Sequence, residues 1–452
     1  MFFTRNRQFY KTFIKLCLTL MLEQAVILSV NLADNLMLGS YNEFSLSGVA
    51  AVNQVQFVLQ QIVYGVSNGM IVLGSQYWGQ KRIGEVKRIS SIGVRVVLVI
   101  CFALFAIVSL FPNGTLMLFT SDTPIISEGV KYLNIMRFSY VFFGLSTVML
   151  GTMRIAESVK IALYVSIVSL VINVCINFLL IFGNFGFPEM GVEGAAIGTL
   201  TARIVECVII AVFLFRKEKH LRMRPTDYLH TDRAMVRDYL RVSIPIIVSS
   251  VLWGVANALQ TVILGHMNES AIAAQSISNT LFLLLKVTSV GAASSASIII
   301  GRTVGADDLG KLREYVHTLQ VIFIGIGISL AAIFTIVRFP LLSVYNISDD
   351  TRRMANAFMT IQTITIFTMS YQMPTNTGII RGGGDSRFIL ILDIISIYII
   401  VLPLAALSAF VWHLNPVIVT FILNSDQIFK CVPAFFRANG YKWVKKLTRD
   451  AE

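Results

Sequence analysis

The sequence is poor in charged residues. Asp, Glu, Lys and Arg make up 14% of its 452 residues, whereas soluble proteins average about 25%. The mean hydropathy is +0.73, and the apolar residues form runs of about 20 residues or more, the pattern of membrane-spanning helices. Strands of a membrane β-barrel would instead alternate over about ten residues. We therefore predict an all-α polytopic membrane protein.

The sequence also lacks the motifs of an ATP-driven or metal-dependent protein. It contains no Gly-x-x-x-x-Gly-Lys-Ser/Thr phosphate loop, and its five histidines are scattered. Its cysteines lie in apolar runs without paired spacing, which is typical of small core residues rather than of disulfides or metal ligands. They are Cys17, Cys101, Cys175, Cys207 and Cys431. We expect no enzymatic activity, no metal and no cofactor.

The positive net charge of +12 does not indicate a nucleic-acid partner. Lys and Arg concentrate in the N-terminal segment, in alternate loops and in the C-terminal tail, as the positive-inside rule describes for cytoplasmic segments. The other loops contain neither residue; they are 40–46, 183–191, 266–270 and 412–415. We expect a multi-pass protein of the cell (plasma or inner) membrane, monomeric, with both termini in the cytoplasm and the bilayer as its partner.

Twelve apolar segments are predicted to span the membrane. They are 12–38, 47–74, 90–111, 129–153, 161–182, 192–215, 241–265, 271–300, 316–338, 354–380, 387–411 and 416–436.

The two halves of the chain resemble each other. Four glycines of the first half recur 226 residues later; the pairs are Gly39 and Gly265, Gly65 and Gly291, Gly79 and Gly305, and Gly84 and Gly310. This offset predicts two parallel six-helix repeats with a central cleft between them. The predicted divisions are an N-lobe at 1–215, a basic cytoplasmic linker at 216–240, a C-lobe at 241–436 and a basic cytoplasmic tail at 437–452.

Two carboxylates interrupt the first apolar run, which extends from Leu16 to Leu38. Glu23 and Asp34 lie on one helical face together with Ile27 and Asn31. A carboxylate at membrane depth costs about 2.5–3.5 kcal/mol on insertion scales, so it is a functional candidate. The polar face predicts contact with an interior cavity rather than with lipid.

Five segments resemble the multidrug and toxic compound extrusion (MATE) transporters. They are DNLMLG (34–39), GSQYWGQKRIGEVKR (74–88), NVCINFLLIFG (173–183), GVEGAAIGT (191–199) and GIIRGGGDSRF (378–388). The resemblance covers nearly the whole chain. It implies two six-helix lobes around a central cleft, alternating access, and export of organic cations driven by inward flow of H⁺ or Na⁺.

The resemblance also implies an ion-coupling role for three residues. Asp34 matches the family's first-helix aspartate, and Asn173 matches the asparagine near it on the fifth helix. Asn177 stands where relatives carry either aspartate or asparagine. Trp253 and Ser370 stand where one sodium-linked branch has acidic residues, which argues against a cation site of that type in the C-lobe.

Further polar residues within the spans are candidates for the substrate cleft. They are Asn53, Gln56, Gln60, Tyr64 and Asn68 on span 2, Gln260 on span 7 and Lys286 on span 8. The span-2 stripe suits either a wet cleft wall or interhelical hydrogen bonding. Glu23 is either a proton relay or an interfacial residue. Arg154 and Arg381 are expected to satisfy carbonyls at the ends of their helices.

The sequence leaves three functions open. The first is a secondary antiporter that exports amphipathic, mostly cationic organic compounds in exchange for H⁺ or Na⁺. The second, motivated by Lys286, is a flippase of the same superfamily for a lipid-linked or anionic substrate. The third, an intramembrane enzyme or a receptor, requires a polar catalytic cluster that the sequence does not supply.

Overall fold

A computed structural model describes residues 3–228, 232–267, 269–345 and 347–449. Within these residues the regular structure is helical, and no strand is present. Ten helices are long and apolar enough to cross a membrane, or eleven if the pair Thr123–Met136 and Ser139–Ile155, bent by 53°, counts as one span. The prediction of an all-α polytopic membrane protein is confirmed.

Seventeen α-helices, some joined by π-helical turns, make up the described chain. The first eight are α1 (Arg7–Tyr41), α2 (Glu43–Gly79), α3 (Ile83–Leu110), α4 (Pro112–Met117), α5 (Thr123–Met136), α6 (Ser139–Ile155), α7 (Lys160–Phe182) and α8 (Val192–Val212). The others are α9 (Arg233–Gly265), α10 (Glu269–Gly305), α11 (Leu309–Val344), α12 (Asp349–Met373), α13 (Ser386–Asp393), α14 (Leu402–Ala406), α15 (Pro416–Asn424), α16 (Asp426–Phe429) and α17 (Cys431–Asn439).

The internal repeat is visible in where the helices begin. α1 and α9, α2 and α10, and α3 and α11 each begin 226 residues apart, the offset of the glycines. The turn before the third helix of each half is also the same, because Lys81 and Asp307 both adopt a left-handed conformation, with φ of 60° and 57°. The two halves therefore share local structure as well as sequence spacing.

Packing divides the chain into two units. The N-terminal unit is Leu22–Ile247, and the C-terminal unit is Met1–Met21 together with Val248–Glu452. In the first, α2 packs against α3, α5 and α6, and α7 packs against α8. In the second, α10 and α11 pack against α12. The lobe boundaries proposed from the sequence divide the chain by its internal repeat, whereas these units divide it by packing. The proposed boundaries stay predictions.

Segments that follow the last helix of each repeat fold back onto their own unit. In the linker, Asp227 pairs with Lys87 of α3 at 3.0 Å, and the buried Glu218 accepts a hydrogen bond from Ser158 at 3.2 Å. Residues 229–231 of the predicted linker lie outside the described residues. In the C-terminal unit, the fully buried Trp443 packs against Gly383.

The loop at 382–385 holds the C-terminal tail through one carboxylate. Asp385 is 2% exposed and pairs with Arg437 and, at 2.6 Å, with Lys445. Gly384 adopts a φ of +106°, which favours glycine, and a side chain at Gly383 would overlap the Trp443 ring. The glycines therefore allow the tail to lie directly on the loop.

The tail contact sets a pH range. Burial alone would raise the pKa of Asp385, but hydrogen bonds from Lys445 and Arg437 outweigh it and hold the pKa below its usual value of about 3.9. Because the pKa of Asp385 is lowered when the tail is docked, docking is fully stabilised at pH values above the usual pKa. This stabilisation is lost as the pH falls through the lowered pKa. Tail docking should therefore not change with pH across the neutral range.

Asp385→Asn is expected to release the tail at neutral pH. The substitution removes the charge that accepts three hydrogen bonds, two from Arg437 and one from Lys445, and hydrogen bonds to charged groups are each worth about 1.5–3 kcal/mol. Limited trypsin digestion, followed by mass spectrometry, should show faster cleavage at Lys445 and at Lys446. Asp308→Asn is the control, because its ion pair with Lys311 is confined to one helical turn. Equal cleavage in both variants would contradict the prediction.

Candidate functional site

Asp34 of α1 is hydrogen-bonded to α7. Asn177 Nδ2 donates to Asp34 Oδ1 at 2.6 Å and approaches Asn173 Oδ1 at 3.5 Å. Both asparagines are buried, with 0% and 1% of their surface exposed. They share one face of α7 because they are four residues apart. The structure thus brings together the three residues that the sequence proposes for ion coupling.

Thr199 of α8 extends this polar group. Asn173 Nδ2 donates to Thr199 Oγ1 at 3.3 Å. Beside them lies a cavity of about 30 Å³, to which Ser166 and Ser169 of α7 also contribute. A space of this size can hold a water-sized species. Its lining supplies hydroxyl and amide oxygens and also includes the ion-paired Arg203 and Glu206. Hard cations such as Na⁺ prefer oxygen ligands of this kind.

Asn177 has an atom without a partner. Its Oδ1 is buried and accepts no hydrogen bond within the described chain. An unpaired buried amide oxygen is costly, by about 1–3 kcal/mol. Gly198 of α8 lies directly against this oxygen, and a side chain at that position would overlap it. The glycine therefore allows α8 to approach the coupling residues.

Gly198→Ala is expected to displace Asn177 from Asp34. The added methyl group overlaps Asn177 Oδ1, and overpacking of this kind costs about 1–3 kcal/mol. Transport should fall along with the thermal unfolding midpoint. Gly325→Ala is the matched control in α11, since a methyl group there meets nothing within 4 Å. Equal transport by the two variants would show that Asn177 need not contact Asp34.

Two ion pairs form a second polar group in the N-terminal unit. Arg154 Nη2 lies 2.6 Å from Glu23 Oε1, and Arg203 Nη1 lies 2.8 Å from Glu206 Oε2. Glu23 is only 2% exposed, and its other carboxylate oxygen is buried without a partner among the described residues. Tyr64 of α2 lies beside both pairs. The first pair joins α6 to α1, whereas the second lies within α8.

One expectation from the sequence is wrong in this group. Glu23 is buried in an ion pair. Arg154 is directed at Glu23 and not at the carbonyls that end its own helix. A buried guanidinium gains more from a carboxylate than from a carbonyl. The relay role of Glu23 stays a prediction.

The same link between helices recurs in the C-terminal unit. Arg381 Nη2 donates to Ser249 Oγ at 3.5 Å. Ser249 stands 226 residues after Glu23, and Arg381 stands 227 after Arg154. In the first repeat, an arginine therefore joins the end of α6 to α1. In the second, an arginine joins the segment that follows α12 to α9. Among the described residues, the acceptor is a carboxylate in the first repeat and a hydroxyl in the second.

Lys430 is the centre of an ion cluster in the C-terminal unit. Its ammonium nitrogen lies 3.0 Å from Asp393 and 3.1 Å from Asp426. Ser249 donates a hydrogen bond to the other oxygen of Asp393 at 2.6 Å. Lys430 and Asp426 are both 4% exposed. Two carboxylates thus share one buried lysine.

Lys286 contacts an aromatic ring. Its ammonium nitrogen lies 4.5 Å from the ring centroid of Trp253, a distance at which a cation is attracted to the ring face. Asp426 contributes an electrostatic interaction but is paired with Lys430. Gln260 of α9 is half-buried. Both cleft candidates of this unit stay predictions.

The polar stripe of α2 lies on a partly exposed face. Gln56, Gln60, Tyr64 and Asn68 are half-buried and Asn53 is exposed, whereas the opposite face of α2 is buried. Within the described residues, the side chains of Gln56, Gln60 and Asn68 form no hydrogen bond. This arrangement fits a wet wall better than interhelical hydrogen bonding, although their contact with a substrate stays a prediction.

Sequence reasoning missed three residues of these groups. Arg203 and Lys430 are basic residues within predicted spans. Like Lys286, they are candidates for a functional role because charge within a span is costly. Thr199 gave no signal of its own beyond its place in the GVEGAAIGT segment. Its contact with Asn173 depends on the packing of α7 against α8.

Comparison with known proteins identifies the family. The MatE family model matches residues 20–179 and 245–407, which together make up more than two thirds of the chain. The chain belongs to the MATE family of transporters. Members of this family are transporters, and membership supports the export of drugs and other compounds.

Relatives of this MATE transporter extend along nearly its whole length. The "Uncharacterized transporter YisQ" of Bacillus subtilis is 23% identical and covers 96% of both chains. The "Probable multidrug resistance protein NorM" of Thermotoga maritima is 24% identical over 97% of this chain and 95% of its own. The crystal structure of an aspartate-to-asparagine mutant of the Vibrio cholerae MATE transporter VcmN has a TM-score of 0.87 at 16% identity, with 97% and 98% of the chains covered. The flippase alternative is not favoured by these likenesses.

Proposed function

We propose that this MATE transporter is a secondary antiporter that exports amphipathic, mostly cationic organic compounds in exchange for H⁺ or Na⁺. The observation that supports this best is the hydrogen bond from Asn177 to Asp34, together with Asn173, which approaches Asn177 and lines a small cavity. A carboxylate there binds either coupling ion: it takes up a proton, or it gives Na⁺ an anionic oxygen.

The composition of the group suits reversible binding of one monovalent ion. Asp34 is the one carboxylate in direct contact with the two asparagines among the described residues, so one proton or one Na⁺ neutralises it. The amide and hydroxyl groups of Asn173, Asn177 and Thr199 are neutral in every state. The charge of the group therefore depends on whether the ion is present.

The ion and the substrate would compete through the conformation of the protein. If ion binding favours one arrangement of the helices and substrate binding favours another, each ligand shifts the population that binds the other. Exchange then requires no ATP. In this proposal the protein lies in the plasma or inner membrane with both termini in the cytoplasm, so that export lowers the cytoplasmic concentration of the substrate.

Transport by purified protein in liposomes tests this proposal. The full chain is reconstituted, and uptake or release of ethidium, a fluorescent organic cation, is followed after a proton gradient or a sodium gradient is imposed separately. We expect movement under one gradient, which identifies the coupling ion. Protein-free liposomes control for leakage. Absence of movement under either gradient would contradict the proposed function.

A further inference from the structure

A large groove opens in the C-terminal unit, in a different packing unit from Asp34. Its volume is about 710 Å³, within the roughly 300–1,000 Å³ typical of ligand pockets. α11, α12, α16 and α17 form its walls, and Phe3 lies at its edge. Several of its apolar side chains are exposed, among them Val321, Ile324 and Phe435. Exposed apolar side chains on the helices of a membrane protein suit contact with lipid.

The groove is apolar at one end and polar at the other. On α11 its residues form one stripe, His317, Gln320, Val321 and Ile324. Toward the N-terminus of α11 this stripe is polar, and further along the helix it is apolar.

The other two walls follow the same gradient. At the polar end, Tyr371 of α12 donates to Gln320 Oε1 at 2.8 Å, and Gln320 Nε2 donates to Asn439 of α17 at 3.2 Å. At the apolar end the walls are Phe367 and Ile428. The groove therefore has the polarity of an amphiphile, with space for an apolar chain below a polar rim.

A cation lies just beyond the polar end. Arg313 precedes His317 by one turn of α11, about 6 Å along the helix axis, and on the same face. Its guanidinium lies 5.5 Å from the ring centroid of Tyr441. Arg313 is exposed, and no carboxylate among the described residues pairs with it. A guanidinium so placed suits a phosphate group.

We propose that this groove binds an anionic phospholipid, with an acyl chain along Ile324 and Phe367 and the phosphate at Arg313. Two features favour this occupant over a transported organic cation. Arg313 would repel a cation, and the exposed apolar walls give access from the bilayer. Basic sites between helices near the cytoplasmic surface are a known way to hold anionic lipids. The site predicts that lipid composition affects this transporter.

Native mass spectrometry of the purified full chain tests the site. The protein is delipidated in detergent and titrated with phosphatidylglycerol or with phosphatidylethanolamine of the same acyl chains. Wild type should retain phosphatidylglycerol about fivefold more strongly, as expected for one basic residue near an anionic lipid. Arg313→Gln should remove this preference, and Val321→Trp should remove retention of both lipids. Ile336→Trp, at a 70% exposed position further along α11, is the matched control.

A second measurement uses the native thiols and needs no variant. Cys431 lines the groove, whereas Cys175 is exposed in the N-terminal unit. Phosphatidylglycerol should slow alkylation of Cys431 by N-ethylmaleimide and leave Cys175 unaffected. Equal retention of lipid by Val321→Trp and Ile336→Trp, or equal protection of the two thiols, would overturn the proposal. Protection of Cys431 by ethidium and not by phosphatidylglycerol would also overturn it, because the groove would then bind organic cations.

Discussion

Asp34→Asn should abolish ion-driven efflux while leaving the protein folded and inserted. Asparagine has nearly the same shape and can still accept the hydrogen bond from Asn177, but it does not change charge when an ion is present. Typical coupling free energies correspond to factors of about 5–150 in affinity. With this coupling removed, neither a proton gradient nor a sodium gradient should drive ethidium efflux. Efflux is measured in cells and in liposomes, at matched amounts of membrane-inserted protein.

The comparison variant is Asp227→Asn, which removes a carboxylate from the linker and leaves the Asp34 group intact. It should retain efflux. Substrate binding by Asp34→Asn without any gradient should persist, since the mutation affects coupling rather than recognition. Unchanged efflux in Asp34→Asn would show that the polar group on α1 is structural. Coupling would then have to lie with Glu23 or with the unit that contains Lys286.

Lys430→Met should be the most destabilising single substitution in the C-terminal unit. It leaves the buried Asp426 and the half-buried Asp393 near each other without their shared cation. Breaking a buried ion pair by removing one partner costs about 3–5 kcal/mol. The thermal unfolding midpoint of the purified protein in detergent should fall steeply. Lys11→Met, at an exposed position of α1, should leave it unchanged.

Neutralising the carboxylates should restore most of this loss. The triple variant Lys430→Met, Asp393→Asn, Asp426→Asn keeps the hydrogen-bond acceptors of the cluster and removes both unpaired charges. If its unfolding midpoint lies close to that of wild type, the cost of Lys430→Met is electrostatic. An unfolding midpoint as low as that of Lys430→Met alone would show instead that packing around the methylene stem of Lys430 dominates.

The sequence predicts much of this fold because membrane helices have a strong signal. Long apolar runs and the 226-residue offset locate the helices, and the matched starts of α2 at Glu43 and α10 at Glu269 agree with that offset. The break between Met136 and Ser139 was not predicted, since no proline or glycine marks it. The π-helical turn from Pro374 to Ile380 was missed although Pro374 lacks the amide that an α-helix needs.

The candidate site was predictable only where a single residue carries a signal. Asp34 stands out because charge is rare within a span, and its asparagine partners come from resemblance to a family. The partner of Glu23 is 131 residues away in sequence, at Arg154. No periodicity within one helix reports such a contact, because it depends on how separate helices pack.

The division of α1 between two packing units has a consequence for biosynthesis. The backbone N–H of Thr4 donates a hydrogen bond at 3.0 Å to Oγ1 of Thr318, which lies 314 residues further along the chain. Both residues belong to the C-terminal unit. At about 5–20 residues per second, Thr4 waits roughly 15–60 s for this partner to be synthesised. The contiguous segment Leu22–Ile247 can pack during that time. Residues made before this segment are therefore among the last to reach their final contacts.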